Sequence, residues 1–280
     1  MSARMQGRRV VVVGATGGIG TAITKVLLDD GIRVIGTGRS ARGLEDVAAL
    51  GAIPVALALE DPQQAGAIMA EAVADAFAGE LDGIVVASGN YGPIGPTRTV
   101  DITSVEHTFM LNLLAPLALI QAVAPALDAG VEASVVFLSG GGATDSFPNY
   151  SAYAISKVAT VRLVENLALE EPGWKVNAIA PGFVATAIHD ATRAAGDTAS
   201  AGFLSRTDEM TARAVDPAIA ARLTAFLLSP QSRRITGRLI SAVWDPWEEP
   251  AGQALLSDDP HFGRLRRIDR QFFSAMDRDA

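Results

Sequence analysis

A tyrosine and a lysine stand four residues apart in Tyr153-Ala154-Ile155-Ser156-Lys157. On a helix, that spacing puts both side chains on one face. A free phenol has a pKa of about 10 and holds its proton too tightly to trade it readily at neutral pH. A neighbouring ammonium favours the phenolate and lowers that value. The pair is then a usable acid or base for interconverting a hydroxyl and a carbonyl. A second group, Gly14-Ala15-Thr16-Gly17-Gly18-Ile19-Gly20, follows the apolar run Val10 to Val13 and precedes a helical pattern. Its glycines allow a tight turn and close approach of a phosphate, and a helix starting at Gly18 offers free N–H groups and a positive dipole end to an anion. Further on, Ile35-Gly36-Thr37-Gly38-Arg39-Ser40 lacks the acid that would accept ribose hydroxyls and favour NAD; none occurs before Glu45. Arg39 suits a 2′-phosphate instead, which points to NADP(H) over NAD(H).

Other chemistries are excluded by composition. The chain of 280 residues has no cysteine, so disulfides, thiolate metal sites and a cysteine nucleophile are ruled out. Its three histidines, His107, His189 and His261, are too few and too scattered for a His-rich centre, and no metal is expected. Apolar residues make up 49% and charged residues 19%, enough for a sizeable core and unlike a disordered chain. A net charge of −8 makes the chain a poor general partner for nucleic acid or an anionic membrane. The basic opening MSARMQGRR leads into only four valines before Gly14, too short for a secretory apolar segment. The uncharged run from Thr108 to Leu127 has spanning length. It contains Asn112, Pro116, Gln121 and Pro125, and reads as a helix buried between protein surfaces, in a cytoplasmic protein.

The elements that must position these residues alternate. Strands are expected at Arg9–Val13, Arg33–Gly36, Ile53–Leu57, Asp82–Ala87, Ser134–Leu138, Lys175–Ile179 and Leu239–Val243. Helices are expected at Gly18–Asp30, Leu44–Leu50, Pro62–Ala78, Ser104–Leu127, Ser151–Glu170 and Pro217–Leu228. Asp61-Pro62 and Asp216-Pro217 read as an N-cap followed by proline at the first helical position. Continuously apolar strands alternating with helices imply an α/β fold, a parallel sheet of about seven strands with helices on both faces. The pattern lapses from Ala185 to Val215, as a lid would, and again from Trp244 to Ala280.

Together these residues resemble the short-chain dehydrogenase/reductase family, over roughly residues 7 to 243, which implies a single-domain Rossmann-like, doubly wound sheet. Gly14…Gly18-Ile19-Gly20 is similar to the family's TGxxxGxG, with Val13 where threonine usually stands. Asn112 matches the asparagine in the middle of the fourth long helix, Tyr153 and Lys157 match YxxxK, and Pro181-Gly182 followed by Thr186 matches the PG motif. The resemblance implies that Tyr153 exchanges a proton with the substrate oxygen while hydride passes to or from the cofactor. It implies that Lys157 lowers the tyrosine pKa and holds the nicotinamide ribose, and that Asn112 positions a water linking Lys157 to solvent. Thr186 would touch the carboxamide. The expected cofactor set is Gly14, Thr16, Gly18, Ile19, Gly20, Arg39, Gly89, Tyr153, Lys157, Pro181, Gly182 and Thr186; the expected catalytic set is Asn112, Ser139, Tyr153 and Lys157.

The sequence departs from that pattern at several points. The catalytic serine usually stands thirteen residues before the tyrosine, where this chain has Gly140. Ser139 is one residue early, and a one-residue shift at a strand end turns a side chain the other way. Ser139, Thr144 or a backbone N–H of the glycine run is left to polarise the carbonyl. The family's NNAG appears as Val86-Ala87-Ser88-Gly89, and the acid expected to meet the adenine is replaced by Ala58, with Glu60 and Asp61 close by. The lid, about 185–215, mixes His189, Asp190, Arg193 and Asp208 with Phe203 and Met210, which suits a polar small-molecule substrate. Tyr91, Pro93 and Ile94 are further candidates to line the pocket. Trp244-Asp245-Pro246-Trp247 replaces the usual VDGG, and residues 244–280 form an extension whose His261, Arg264, Arg266, Arg267 and Arg270 reach a substrate anion or pack it on the body or a neighbouring subunit. Relatives pair through the two long helices, so a homodimer or homotetramer is expected. An NADP(H)-dependent oxidoreductase is the leading reading; a redox-silent nucleotide-binding sensor and a dehydratase or epimerase are the alternatives.

Overall fold

The structure, a computed structural model, describes residues 5–199 and 203–266. Its centre is a seven-stranded sheet in the order β3-β2-β1-β4-β5-β6-β7. The strands are β1 (Arg9–Val13), β2 (Arg33–Gly38), β3 (Ile53–Ala56), β4 (Gly83–Val86), β5 (Ser134–Leu138), β6 (Lys175–Ala180) and β7 (Arg238–Ser241), all paired in parallel. Successive side chains of a strand leave on opposite faces. Val11, Val13, Ile84, Val86, Val135 and Phe137 therefore enter one core, and Val10, Val12, Val34, Val85, Val136 and Leu138 the other. Both faces are covered, which is why these strands read as unbroken apolar runs.

Helices α3 (Pro62–Phe77), α5 (Ala115–Ala129) and α6 (Ser151–Glu170) cover the first face, and α4 (Ile102–Phe109) leads into α5. Helices α1 (Gly18–Asp29) and α9 (Pro217–Leu228) cover the second. Asp61 caps α3 by accepting from Gln63 N and Gln64 N at 3.1 and 3.0 Å, and Asp216 caps α9 by accepting from Ala218 N at 2.8 Å. The helix expected at Leu44–Leu50 is α2 (Ala41–Ala49) and starts earlier, because Ser40 Oγ accepts from Gly43 N at 3.1 Å and caps the chain there.

The expected helix Ser104–Leu127 is not uniform. Between α4 and α5 lies a π turn, Met110–Leu114, with Ala115 N bonded to Met110 O. Pro116 has no N–H to give the carbonyl of Asn112, so a regular turn cannot close there, and the widened turn accommodates it. The whole helix Ile102–Ala129 has the length and apolarity to cross a membrane. Here Leu119, Ile120, Val123 and Leu127 of that helix are buried in the first core.

The lapse after β6 holds two short helices, α7 (Asp190–Ala195) and α8 (Phe203–Ala212). After β7, Trp247 is buried and donates Nε1–H to Ala242 O at 3.0 Å. Helix α10 (Pro250–Asp258) follows. The chain then returns along β7. Leu239 N donates to Gly263 O at 2.7 Å, Arg238 Nη1 to Phe262 O at 2.6 Å, and Leu265 N to Glu165 Oε1 at 2.7 Å. Within the described residues, the extension thus packs on its own body and covers an edge strand. Arg267 and Arg270 lie outside the described residues. Arg264 lines the cleft described below, and its Nη2 would stand 3.8 Å from a Cβ on Gly237, just before β7.

Candidate active site

In an open parallel sheet, ligands bind outside the carboxyl ends of the strands where the order reverses. Here the reversal falls between β1 and β4, and a cleft of about 1050 Å³ opens there. Gly14 has φ +83°, and a Cβ on it would meet Ser88 N at 3.0 Å, so the turn after β1 lies directly against the turn after β4. Gly14 N donates to Thr37 Oγ1 at 3.1 Å. A Cβ on Gly20 would come within 2.1 Å of Gly14 O, which fixes the tight entry to α1. Gly17 and Gly18 are exposed to the cleft, and the N-cap Gly17 has no side chain to occupy the first N–H groups of α1. That is an anion cradle by construction.

Gly18, Ile19, Gly20, Arg39, Gly89, Ser139, Tyr153, Lys157, Pro181, Gly182 and Thr186 all line this cleft. Thr186 Cγ2 lies 2.8 Å from where a Cβ on Gly18 would sit, so the PG loop closes down on the glycine turn. Thr16 does not join them: its side chain turns toward Gly38 and Gly43. Arg39 is largely exposed and stands 3.6 Å from the carboxylate of Glu60. Asp61 is committed to capping α3, so Glu60 is the acid beside this corner.

Asn112 stands one layer back. Its Nδ2 donates to Asn90 O at 2.9 Å and Ser156 Oγ at 3.0 Å, and its Oδ1 accepts from Asn90 N at 2.9 Å. The π turn swings it inward, so it clamps the chain after β4. Lys157 Nζ donates to Leu138 O at 2.9 Å. A Cβ on Gly89 would lie 3.3 Å from Lys157 Nζ and 3.4 Å from Asn112 Oδ1, so Gly89 brings its backbone close to both polar groups.

The electrostatics differ from the sequence expectation. Burial pushes the Tyr153 phenol up to about 12, and burial brings the Lys157 amine down to about 8. Lys157 Nζ is 5.7 Å from the centre of the tyrosine ring and is held by a carbonyl. Desolvation therefore dominates both groups, and the amine does not depress the phenol here.

Gly140 has a steric reason. A Cβ there would stand 2.7 Å from the Tyr153 hydroxyl. Ser139 is buried, and its Oγ has no hydrogen-bond partner; neither have the buried Ser88 Oγ and Asn90 Oδ1. All three residues line the cleft. Orphaned buried polar atoms gathered around one cleft are what a bound polar ligand would satisfy. The exposed glycine mouth and these atoms fit a dinucleotide.

Sequence reasoning did not assemble the aromatic wall beside Tyr153. Tyr91 packs edge-on against Tyr153 with ring centres 4.9 Å apart, Phe147 stacks on Tyr150 at 4.4 Å, and Phe203 meets Phe147 at 4.9 Å. Phe147, Tyr150 and Tyr153 recur every three residues into α6, but Tyr91 follows β4 and Phe203 opens α8, and no local period joins these two to the rest.

The profile of the family described as short chain dehydrogenase matches residues 8–197. Asnovolin H dehydrogenase of Aspergillus novofumigatus is 28% identical over 243 residues, covering 82% of this chain and 93% of that protein. The 3-oxoacyl-[acyl-carrier-protein] reductase of Vibrio cholerae is 27% identical, covering 84% of this chain and 96% of its own length. Among solved structures, a short-chain dehydrogenase of Shigella flexneri complexed with NADP superposes with a TM-score of 0.75 at 25% identity, covering 86% of this chain and 99% of that one. The chain belongs to the short-chain dehydrogenase/reductase family, whose members are NAD(P)-dependent oxidoreductases acting on hydroxyl and carbonyl groups.

Proposed function

We propose that this protein interconverts a carbonyl and a hydroxyl on a small or medium, polar substrate, with NADP(H) preferred over NAD(H). The observation that carries the reading is the gathering of Tyr153, Lys157 and the orphaned Ser139 on one rim of the cleft, beside the open glycine mouth. When bound, the nicotinamide cofactor supplies the hydride that the carbonyl carbon accepts. Gly14, Gly18, Ile19 and Gly20 would hold its pyrophosphate, Gly89, Tyr153 and Lys157 its nicotinamide ribose, and Pro181, Gly182 and Thr186 its carboxamide end. Arg39 would meet the 2′-phosphate. Its pairing with Glu60 is exposed and weak, so exchange for a phosphate costs little.

Tyr153 Oη holds a proton firmly and gives it to an oxygen that gains alkoxide character, because an alkoxide is by far the stronger base. Ser139 Oγ, free of other partners, donates to the same oxygen and polarises it. Lys157 Nζ restores the phenol's proton, with Asn112 ordering the path to solvent. On the surface, Leu114, Ile155 and Val158 leave apolar side chains exposed on the π turn and α6, which supports a homodimer or homotetramer built on that face.

The test is NADPH and NADH oxidation, followed by absorbance across a panel of aldehydes and ketones, in wild type and Tyr153→Phe. Turnover with NADPH that drops by about a thousandfold in the variant, at unchanged NADPH affinity, supports the reading. Undiminished turnover in Tyr153→Phe removes it. Tight NADPH binding with no turnover on any carbonyl gives the sensor reading instead.

A further inference from the structure

His189 is the one buried histidine among the described residues, and its environment fixes its proton. The ring lies in the turn Ala187–His189, buried to 6% exposure and stacked on Phe183 at 4.1 Å. Nε2 is 3.0 Å from Val184 O, and Nδ1 is 3.1 Å from the hydroxyl of Tyr91. A carbonyl only accepts, so Nε2 carries the hydrogen. Burial holds the imidazole pKa below its usual value, so the ring stays neutral and Nδ1 is an acceptor. Tyr91 must then donate its single proton to His189. Its oxygen has only lone pairs left for anything else.

Tyr91 and His189 both line the cleft, and the Tyr91 ring stands edge-on to Tyr153 with centres 4.9 Å apart. Resting on the oxidoreductase reading above, we propose that Tyr91, polarised by His189, is a specificity-determining acceptor that selects carbonyl substrates bearing a hydroxyl donor on the carbon next to the carbonyl, that is, α-hydroxy ketones and the corresponding vicinal diols. The lid residue sets the polarity, and the β4 loop residue reads the substrate. A substrate without the donor leaves a buried lone pair unmatched, and loses more than a hydrogen bond between exposed groups is worth.

The experiment compares kcat/KM within matched ketone pairs in which the hydroxyl is replaced by methyl: acetoin against methyl isopropyl ketone, and α-hydroxyacetophenone against propiophenone. Wild type is expected to favour the hydroxy member by roughly tenfold or more. Tyr91→Phe keeps the ring packing and is expected to bring that ratio close to one. His189→Phe keeps the stack on Phe183 and frees the phenol proton, so it is expected to shift preference toward diacetyl, whose second oxygen only accepts. The ratio is internal to each variant, so partial loss of folded protein does not alter it. A wild-type ratio near one, a wild-type ratio retained in Tyr91→Phe, or reduction of other carbonyls but of no hydroxy ketone overturns this inference alone. Absence of turnover on every carbonyl removes the oxidoreductase reading, and this inference with it.

Discussion

Gly140 occupies the position where the family resemblance leads one to expect a catalytic serine, and adding back a side chain there should harm the enzyme. A Cβ on Gly140 would stand 2.7 Å from the Tyr153 hydroxyl, where ordinary contact begins at 3.4 Å, so something must yield by about 0.7 Å. The loop does not yield readily: Ser139 N is bonded to Ile179 O at 2.8 Å and Ala143 N to Gly140 O at 3.0 Å. The tyrosine ring is rigid and wedged edge-on between Tyr91 and Phe147, so its hydroxyl is the atom displaced. A misplacement approaching 1 Å in a reacting group costs up to about a hundredfold in rate, so Gly140→Ala is expected to lower kcat by roughly ten- to a hundredfold. Gly140 is not among the residues of positive φ, so the substitution strains no backbone and folding should persist. The assay is steady-state kcat on a carbonyl that wild type reduces, with thermal melting and NADPH affinity as controls. Gly140→Ser carries the same Cβ and should be as slow as the alanine variant. A Gly140→Ala enzyme within twofold of wild-type kcat, or a Gly140→Ser enzyme faster than wild type, refutes the steric reasoning.

Lys157 should weaken the fold that it serves. Burial lowers its pKa from 10.5 to about 8, a penalty of about 3 kcal/mol for holding the charge at neutral pH. The unfolded chain binds this proton more strongly, so the penalty is present below pH 8 and fades as pH rises toward 10.5. Lys157→Met is therefore expected to lose turnover yet unfold at higher denaturant than wild type at pH 7, less the bond to Leu138 O, with the gap closing as the solution becomes alkaline; a variant less stable than wild type at pH 7 contradicts this. Arg39→Asp is expected to raise the KM for NADPH at least tenfold while changing that for NADH little, and equal effects on both would remove the 2′-phosphate assignment. Truncation after Asp258 strips Gly263 from Leu239 N and Leu265 from Glu165, and reopens the edge of β7. Its expected signs are a lower melting temperature and self-association in sedimentation, and a truncated chain as stable and as dispersed as the full one would show that the extension does not guard the edge.

What could be read in advance follows from what is local. The inner strands announced themselves because both faces of each are buried, and Asp61-Pro62 and Asp216-Pro217 because a cap and its helix are neighbours in sequence. Tyr153 and Lys157 were legible for the same reason: four residues on α6 place them together whatever surrounds the helix. Their electrostatics were not, because the shift depends on burial and on Leu138 O, nineteen residues away. The π turn was hidden because one missing N–H at Pro116 could be absorbed in several ways, and packing chose one. Tyr91 and His189 are 98 residues apart, and no spacing rule joins them. Gly140 is the sharpest case. In sequence it reads as a catalytic group lost; in space it is the room that the Tyr153 hydroxyl occupies, with the neighbouring Ser139 buried and unsatisfied. The two observations belong together: the glycine leaves the room that the phenol occupies, and the buried Ser139 one residue earlier keeps a free hydroxyl on the same cleft, which is why it is the donor proposed to meet the substrate oxygen.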